Sequence, residues 1–127
     1  MLRSASIIYF ILSIITLVII IGCNKHPEQE IEEAVLKTED YFNQSKGIDC
    51  VGAFKGDTVK FRLLLEVEPT VEEARKLFSE VLSTIRELSN SEETWNYYNA
   101  DFDIVYKDTI IFEGVKESGS ELRIKTK

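Results

Sequence analysis

Ile48-Asp49-Cys50-Val51-Gly52-Ala53-Phe54-Lys55-Gly56-Asp57-Thr58-Val59-Lys60-Phe61-Arg62-Leu63-Leu64-Leu65-Glu66-Val67 is the stretch from which the rest of the architecture is read. Gly56-Asp57 is a two-residue turn signal between two strand-like runs. A two-residue loop pairs Lys55 with Thr58. It thereby sets Phe54 opposite Val59, Gly52 opposite Phe61, Cys50 opposite Leu63 and Ile48 opposite Leu65. Every one of these pairs is apolar, while Lys60, Arg62, Glu66 and Glu68 take the other face. A slip of one residue would turn the whole apolar set to water, so turn chemistry and periodicity specify the same register. Cys50 falls on the core face, where a thiol behaves as a small hydrophobe of low reactivity.

Helical patterns flank this hairpin on both sides. Before it, Ile31, Ala34, Val35, Thr38 and Phe42 recur at three- and four-residue steps. Glu28, Glu30, Glu32 and Glu33 crowd the first turns, where the helix dipole favours negative charge. Lys46-Gly47 supplies a cation and a glycine stop, so a helix is expected over roughly residues 28–45. After the hairpin, Thr70 and Glu73 match a capping box, in which two orphan amides at the helix start are satisfied reciprocally. Val71, Ala74, Leu77, Phe78, Val81, Leu82, Ile85 and Leu88 then form a broad apolar face that ends near Ser89-Asn90. A short turn is expected over Ser91 to Ala100, taking in Trp95, Tyr97 and Tyr98.

From Asp101 the period returns to two. Phe102, Ile104 and Tyr106 share one face, and Asp101, Asp103 and Val105 the other. A second run holds Ile110, Phe112 and Gly114, and a last strand holds Leu122, Ile124 and Thr126. Three-residue loops, Lys107-Asp108-Thr109 and Ser118-Gly119-Ser120, would put all these residues on one face. Val105, Ile111 and Val115 then fall on the opposite face, as a partner surface or as isolated exposed apolar residues. The fold class is α+β: a two-layer domain with a mainly antiparallel sheet of about five strands covered by two helices, in the order α-β-β-α-β-β-β.

The chain begins with a different kind of segment. Arg3 stands beside the N-terminal amine, residues 7–21 are apolar, and Gly22-Cys23 closes the run. A positive end, an apolar core and a small residue before a break make the pattern of a secretory signal. Residues Ile20-Ile21-Gly22-Cys23 resemble the lipobox of bacterial lipoproteins: an aliphatic residue, a tolerated one, a small one, then cysteine. The resemblance covers residues 1–23. It implies that diacylglycerol is attached to the thiol of Cys23 and that the chain is cut between Gly22 and Cys23. Two acyl chains such as palmitate anchor stably where one binds marginally, at about 0.8 kcal/mol per buried CH₂. The division expected is a signal peptide over 1–22, a lipid-anchored linker over 23–30 and a single domain over 31–127. An uncleaved single-span anchor between Arg3 and Lys25 is the alternative, because no charge lies between them.

All 22 acidic residues follow Cys23, and of the 15 basic residues only Arg3 precedes it, so the chain from Cys23 onward carries a net charge of −8. An acidic surface disfavours nucleic acid, which is held by Lys and Arg displacing counterions. It also disfavours lying flat on an anionic bilayer, so the domain is expected to stand off its membrane. With Cys23 acylated, Cys50 has no partner and a disulfide framework is excluded.

The single histidine, His26, lies on the linker, away from any packed shell that a catalyst or ligand needs, so no Ser/His/Asp or Cys/His arrangement is available. No phosphate loop or Cys-pair metal spacing appears, and no cofactor or metal is expected. Asp101 and Asp103 share a strand face but lack the further oxygens that Ca²⁺ requires, so a solvated face is the expectation. Glu66 and Glu68, beside Arg62, read as cross-strand ion pairing.

Trp95, Tyr97, Tyr98 and Tyr106 form an aromatic group that could stack on a sugar or grip a peptide, though core and rim packing is the commoner use. No enzyme is expected. The leading expectation is a tethered module that binds another protein of the cell envelope. The alternative is a small-ligand-binding lipoprotein built on the aromatic group. A concave aromatic site near Trp95 would favour the ligand, and an exposed apolar patch or an open edge strand would favour the partner.

Overall fold

The computed structural model describes residues 27–127, so the leader, Cys23 and His26 lie outside the described residues. Helix α1 (Pro27–Ser45) is followed by β1 (Asp49–Lys55) and β2 (Thr58–Leu65). Helix α2 (Val71–Leu88) and the single turn α3 (Thr94–Tyr97) come next, then β3 (Asn99–Tyr106), β4 (Thr109–Lys116) and β5 (Arg123–Thr126). The five strands form one mixed sheet in the spatial order β1-β2-β3-β4-β5. All neighbours pair antiparallel except β2 and β3, which run parallel. That exception follows from the chain path: α2 is the crossover that a parallel pair requires, and hairpin loops join the rest. The α+β architecture read from the sequence is therefore present, with α3 as the short turn expected before β3.

Each helix buries the stripe its periodicity marks. In α1, Ile31, Ala34, Val35, Thr38 and Phe42 are all buried. The Thr38 hydroxyl is satisfied within the helix by donating to the Ala34 carbonyl at 2.7 Å. The described residues of this helix run from Pro27, so residues 27–30, expected as linker, are helical. Gly47, at φ 65°, turns the chain after the helix, and the Ile48 amide donates back to the Phe42 carbonyl. In α2 the Thr70–Glu73 capping box is formed in both directions. Ala74, Phe78, Val81 and Ile85 are fully buried, whereas Val71 and Leu88, the first and last helical residues, are exposed.

The first hairpin takes the register its turn dictates. Lys55 pairs with Thr58, Phe54 with Val59, Gly52 with Phe61 and Cys50 with Leu63. The ladder opens at Asp49–Leu64, so the expected Ile48–Leu65 pair lies beyond it, though both side chains still pack on the core.

The second hairpin corrects the sequence reading. Its turn has two residues, Lys107 and Asp108, both at positive φ (49° and 62°). This matches the mirror-image turn that suits the twist of paired strands. Tyr106 pairs with Thr109 and Val105 with Ile110, after which the register shifts so that Ile104 pairs with Phe112 and Phe102 with Gly114. The extra residue placed in the loop by sequence sits instead in a bulge at Ile111. The bulge reverses parity: Ile111 packs against the core, and Ile110, paired with Val105, takes the outer face. Strand β5 keeps the expected register, Ile124 on Gly114 and Thr126 on Phe112.

Both helices cover the same sheet face and reach it through glycines. A Cβ at Gly52 would lie 2.7 Å from Val35 Cγ1 and 2.9 Å from the Phe61 ring; one at Gly114 would lie 2.8 Å from the Phe78 ring. At the centre, Phe102 meets Phe61, Phe78 and Trp95 at ring separations of 6.2, 5.9 and 6.5 Å. Replacing Gly52 by alanine is expected to destabilise the domain by about 1–3 kcal/mol, because Val35 is β-branched and short and cannot swing aside. Thermal unfolding of the variant against the parent measures this, and an unchanged midpoint would refute the close approach.

Candidate functional site

The aromatic group divides once the chain is folded, and Tyr106, at the far end of β3 beside Leu65, does not join the other three. Trp95 is a core residue, 9% exposed, its ring edge-on to Phe102. Its indole N–H donates to the Leu82 carbonyl at 2.9 Å, which fixes α3 against α2. The Trp95 carbonyl in turn accepts from the Gly119 amide (2.9 Å) and from Lys116 Nζ (3.0 Å). Lys116 also lies over the indole, at 5.9 Å, and burial lowers its pKa below the ordinary lysine value. All three polar links are structural, and none presents the indole to a ligand.

Tyr97 and Tyr98 point elsewhere. Tyr97 is 66% exposed, with its hydroxyl donating to Glu93 at 3.4 Å. Tyr98 is half-buried, edge-on to Phe54 at 5.4 Å. Both line an open concavity of about 480 Å³ with Ile31 and Glu30 from α1 and Ser89, Ser91 and Thr94 from the end of α2 onward. At its base the Ser89 and Thr94 hydroxyls share a 2.7 Å hydrogen bond. The concavity is more apolar than polar, and its aromatic wall is the two tyrosines without Trp95.

The outer face of the sheet is not covered by any described helix. Across its middle run Val51, Arg62, Asp103, Glu113 and Lys125, each paired with the next in the ladders. Arg62 grips Asp103 through two parallel hydrogen bonds of 2.8 and 3.0 Å, and that partner holds its pKa above the ordinary arginine value. This arrangement replaces the pairing of Arg62 with Glu66 and Glu68 suggested by sequence: β2 ends at Leu65, before both glutamates. It also occupies one of the two carboxylates of the Asp101-x-Asp103 pattern. Among the described residues no group of three or more His, Cys, Asp or Glu side chains could hold a metal ion. One register step away lies an apolar row across three strands, Leu64, Val105 and Ile110. Leu64 is 42% exposed, and Val51 on β1 is 57% exposed. Sequence reading missed Leu64 and Ile110. Strict alternation through Thr58–Leu65 marks Leu64 as outward, but the bulge that turns Ile110 outward has no local signal.

The β1 edge is closed. Its outward amides at Cys50 and Gly52 donate to Asn43 Oδ1 (3.0 Å) and Glu39 Oε2 (3.1 Å), one helical turn apart on α1. Side chains thus take the place of a further strand. The same contacts enclose Cys50, which is buried. Burial, reinforced by the negative charges of Glu39, Asp49 and Asp40, pushes the thiol from 9.0 up to about 11. No described helix is long and apolar enough to cross a membrane.

Trp95→Ala is expected to cost about 3–5 kcal/mol, and Tyr97→Ala less than about 0.5 kcal/mol, in denaturant unfolding; equal effects would mean that Trp95 is not a core residue. Cys50 should resist thiol reagents at pH 8 in the folded protein and react on unfolding. Because its folded pKa is the higher one, its contribution holds below pH 9 and is lost as pH rises toward 11. Stability measured through that window should fall less steeply in Cys50→Ala.

No protein-family model matches the sequence, and no curated protein matches it. Among solved structures, the domain is similar to one described as the sex pheromone staph-cAM373 precursor, with a TM-score of 0.48 and 10% sequence identity. The likeness covers 80% of this chain and 36% of that one, so the chain spans about a third of that protein's length. A likeness this loose carries no argument about function.

Proposed function

We propose that the chain is a bacterial lipoprotein, held through acylated Cys23 at the extracytoplasmic face of the cell membrane, whose α+β domain is a non-enzymatic protein-interaction module of the envelope. The anchor rests on the apolar run ending in Ile20-Ile21-Gly22-Cys23 and the abrupt change to an acidic chain after it. The interaction role rests on one observation: the uncovered sheet face carries an apolar row of exposed Leu64 and half-buried Val105 and Ile110, beside exposed Val51. Contiguous exposed apolar surface rimmed by charged residues is what a partner protein buries. The closed β1 edge favours docking on that face over addition of a strand there.

A small-ligand role is the second reading. It draws on the concavity at Tyr97 and Tyr98, but Trp95, which would have given that site a stacking surface, is committed to the core.

The anchor is tested by intact mass and membrane partitioning of the full chain expressed in a bacterium, beside Cys23→Ala. Loss of residues 1–22 with added lipid mass is expected, and the substitution should abolish both. Full-length mass with membrane retention in both forms would establish instead an uncleaved single-span anchor. The interaction role is tested by a photo-crosslinking residue at Val105 in living cells, with Leu36 on the exposed side of α1 as control. A discrete adduct from Val105 alone is expected; adducts from both or neither would overturn it.

A further inference from the structure

Residues from Pro27 onward are helical, which shortens the leash. Only residues 24–26 lie between Cys23 and this described helical segment. From the Cys23 Cα to that of Pro27 the chain reaches about 14 Å at full extension. The first helical turn adds about 6 Å to Ile31. Ile31 is therefore held within about 20 Å of the anchored residue, so the domain cannot stand off the bilayer by its own width.

The fold sets which end is held there. Helix α1 runs antiparallel to β1: its last turn meets the strand start through Asn43 and Cys50, and its first turn meets Tyr97 and Tyr98 across the concavity. The same end holds the turn Gly56-Asp57, whose Asp57 carbonyl accepts from the Asn99 amide. The end of β2 lies at the opposite pole, about 23 Å away along the strand.

Tyr97 is the most exposed aromatic residue among the described residues, and it stands at the anchored pole. A tyrosine carries an apolar ring and a polar tip, the combination that settles at the boundary between lipid headgroups and acyl chains. The neighbouring Glu30, Glu92 and Glu93 add negative charge, which favours an uncharged lipid surface over an anionic one.

We propose that the pole formed by Ile31, Tyr97 and Tyr98 faces the bilayer, and that Tyr97 enters the headgroup layer of the membrane that holds Cys23. This rests on the lipid anchor proposed above and adds to it an orientation and a contact residue. The outer sheet face then stands upright from the membrane, open to a partner from the side.

The full-length chain, purified in its lipidated form, is reconstituted into phosphatidylcholine vesicles with a single fluorescent label at Tyr97→Cys, at Asn96→Cys on the same turn, or at Val67→Cys at the opposite pole, where Val67 is 78% exposed. The acylated Cys23 and buried Cys50 leave the introduced thiol as the reactive one. Headgroup nitroxide lipids should quench the labels at 97 and 96 several-fold more than the label at 67. Equal quenching at both poles, or none at either in a vesicle-bound protein, would overturn the orientation while leaving the anchor intact. Protection of the label at 97 from aqueous iodide without lipid quenching would mean that a second copy covers the pole, and would also overturn it. A protein without lipid mass that does not bind vesicles would overturn both readings.

Discussion

One sheet face must be sealed by two helices, and the Phe102 ring stands at the centre of that seal. It lies on β3, one of the two strands of the parallel pair, and meets rings from β2, α2 and α3. Burial of each such side chain contributes about 1.5–3 kcal/mol, and well-placed aromatic pairs add about 0.5–1.5 kcal/mol. The helices approach closely enough only because two sheet positions have no side chain. Gly52 receives Val35 from α1, and Gly114 receives Phe78 from α2. The ion pair between Lys46, just past the end of α1, and Glu80 links the two helices. It is solvent-screened, and pairs of that kind contribute little beside the core.

Sealing one face leaves the other open and makes the edges a separate problem. On β1 the problem is met by Glu39 and Asn43, which take the amides a further strand would have used. At the far edge β5 is short and cationic, with Arg123 and Lys125 on the outer face and Lys127 paired to Glu113. On the open face the bidentate Arg62–Asp103 pair orders the middle of the sheet, and the apolar row lies one step away. The face is thus polar at its centre and apolar to one side, an uneven surface suited to a partner that approaches in one orientation.

The same constraint redistributes the aromatic residues. Three near neighbours in sequence, Trp95, Tyr97 and Tyr98, end in three environments because the helical turn sets Trp95 and Tyr97 about 200° apart, and Tyr98, its extended C-cap, leaves the helix. Trp95 turns inward and becomes the peg that holds α3 to α2 and β4. Tyr98 closes the rim against Phe54, and Tyr97 is left outside at the pole where α1 begins. Surface chemistry at that pole is a by-product of packing α3.

By itself the sequence determined whatever short-range geometry governs. Residues 27–127 read as α+β because periods of 3.6 and 2 are local properties, and the Gly56-Asp57 turn set a register that the whole first hairpin obeys. The Thr70–Glu73 cap and the stripe from Ile31 to Phe42 were legible for the same reason. The leader and its cysteine are likewise a local pattern. Only the tertiary structure decided that β2 and β3 run side by side in parallel, since strands separated by a helix carry no pairing signal. It alone placed the extra residue of the second hairpin at Ile111, where packing on the core outweighed a longer loop and turned Ile110 outward. It also brought Glu39 and Asn43 to the β1 edge and Ile31 beside Tyr97, contacts between residues distant in the chain. Such contacts follow from how the helices cross the sheet, and that crossing is set by the complementary shapes of Val35 on Gly52 and Phe78 on Gly114.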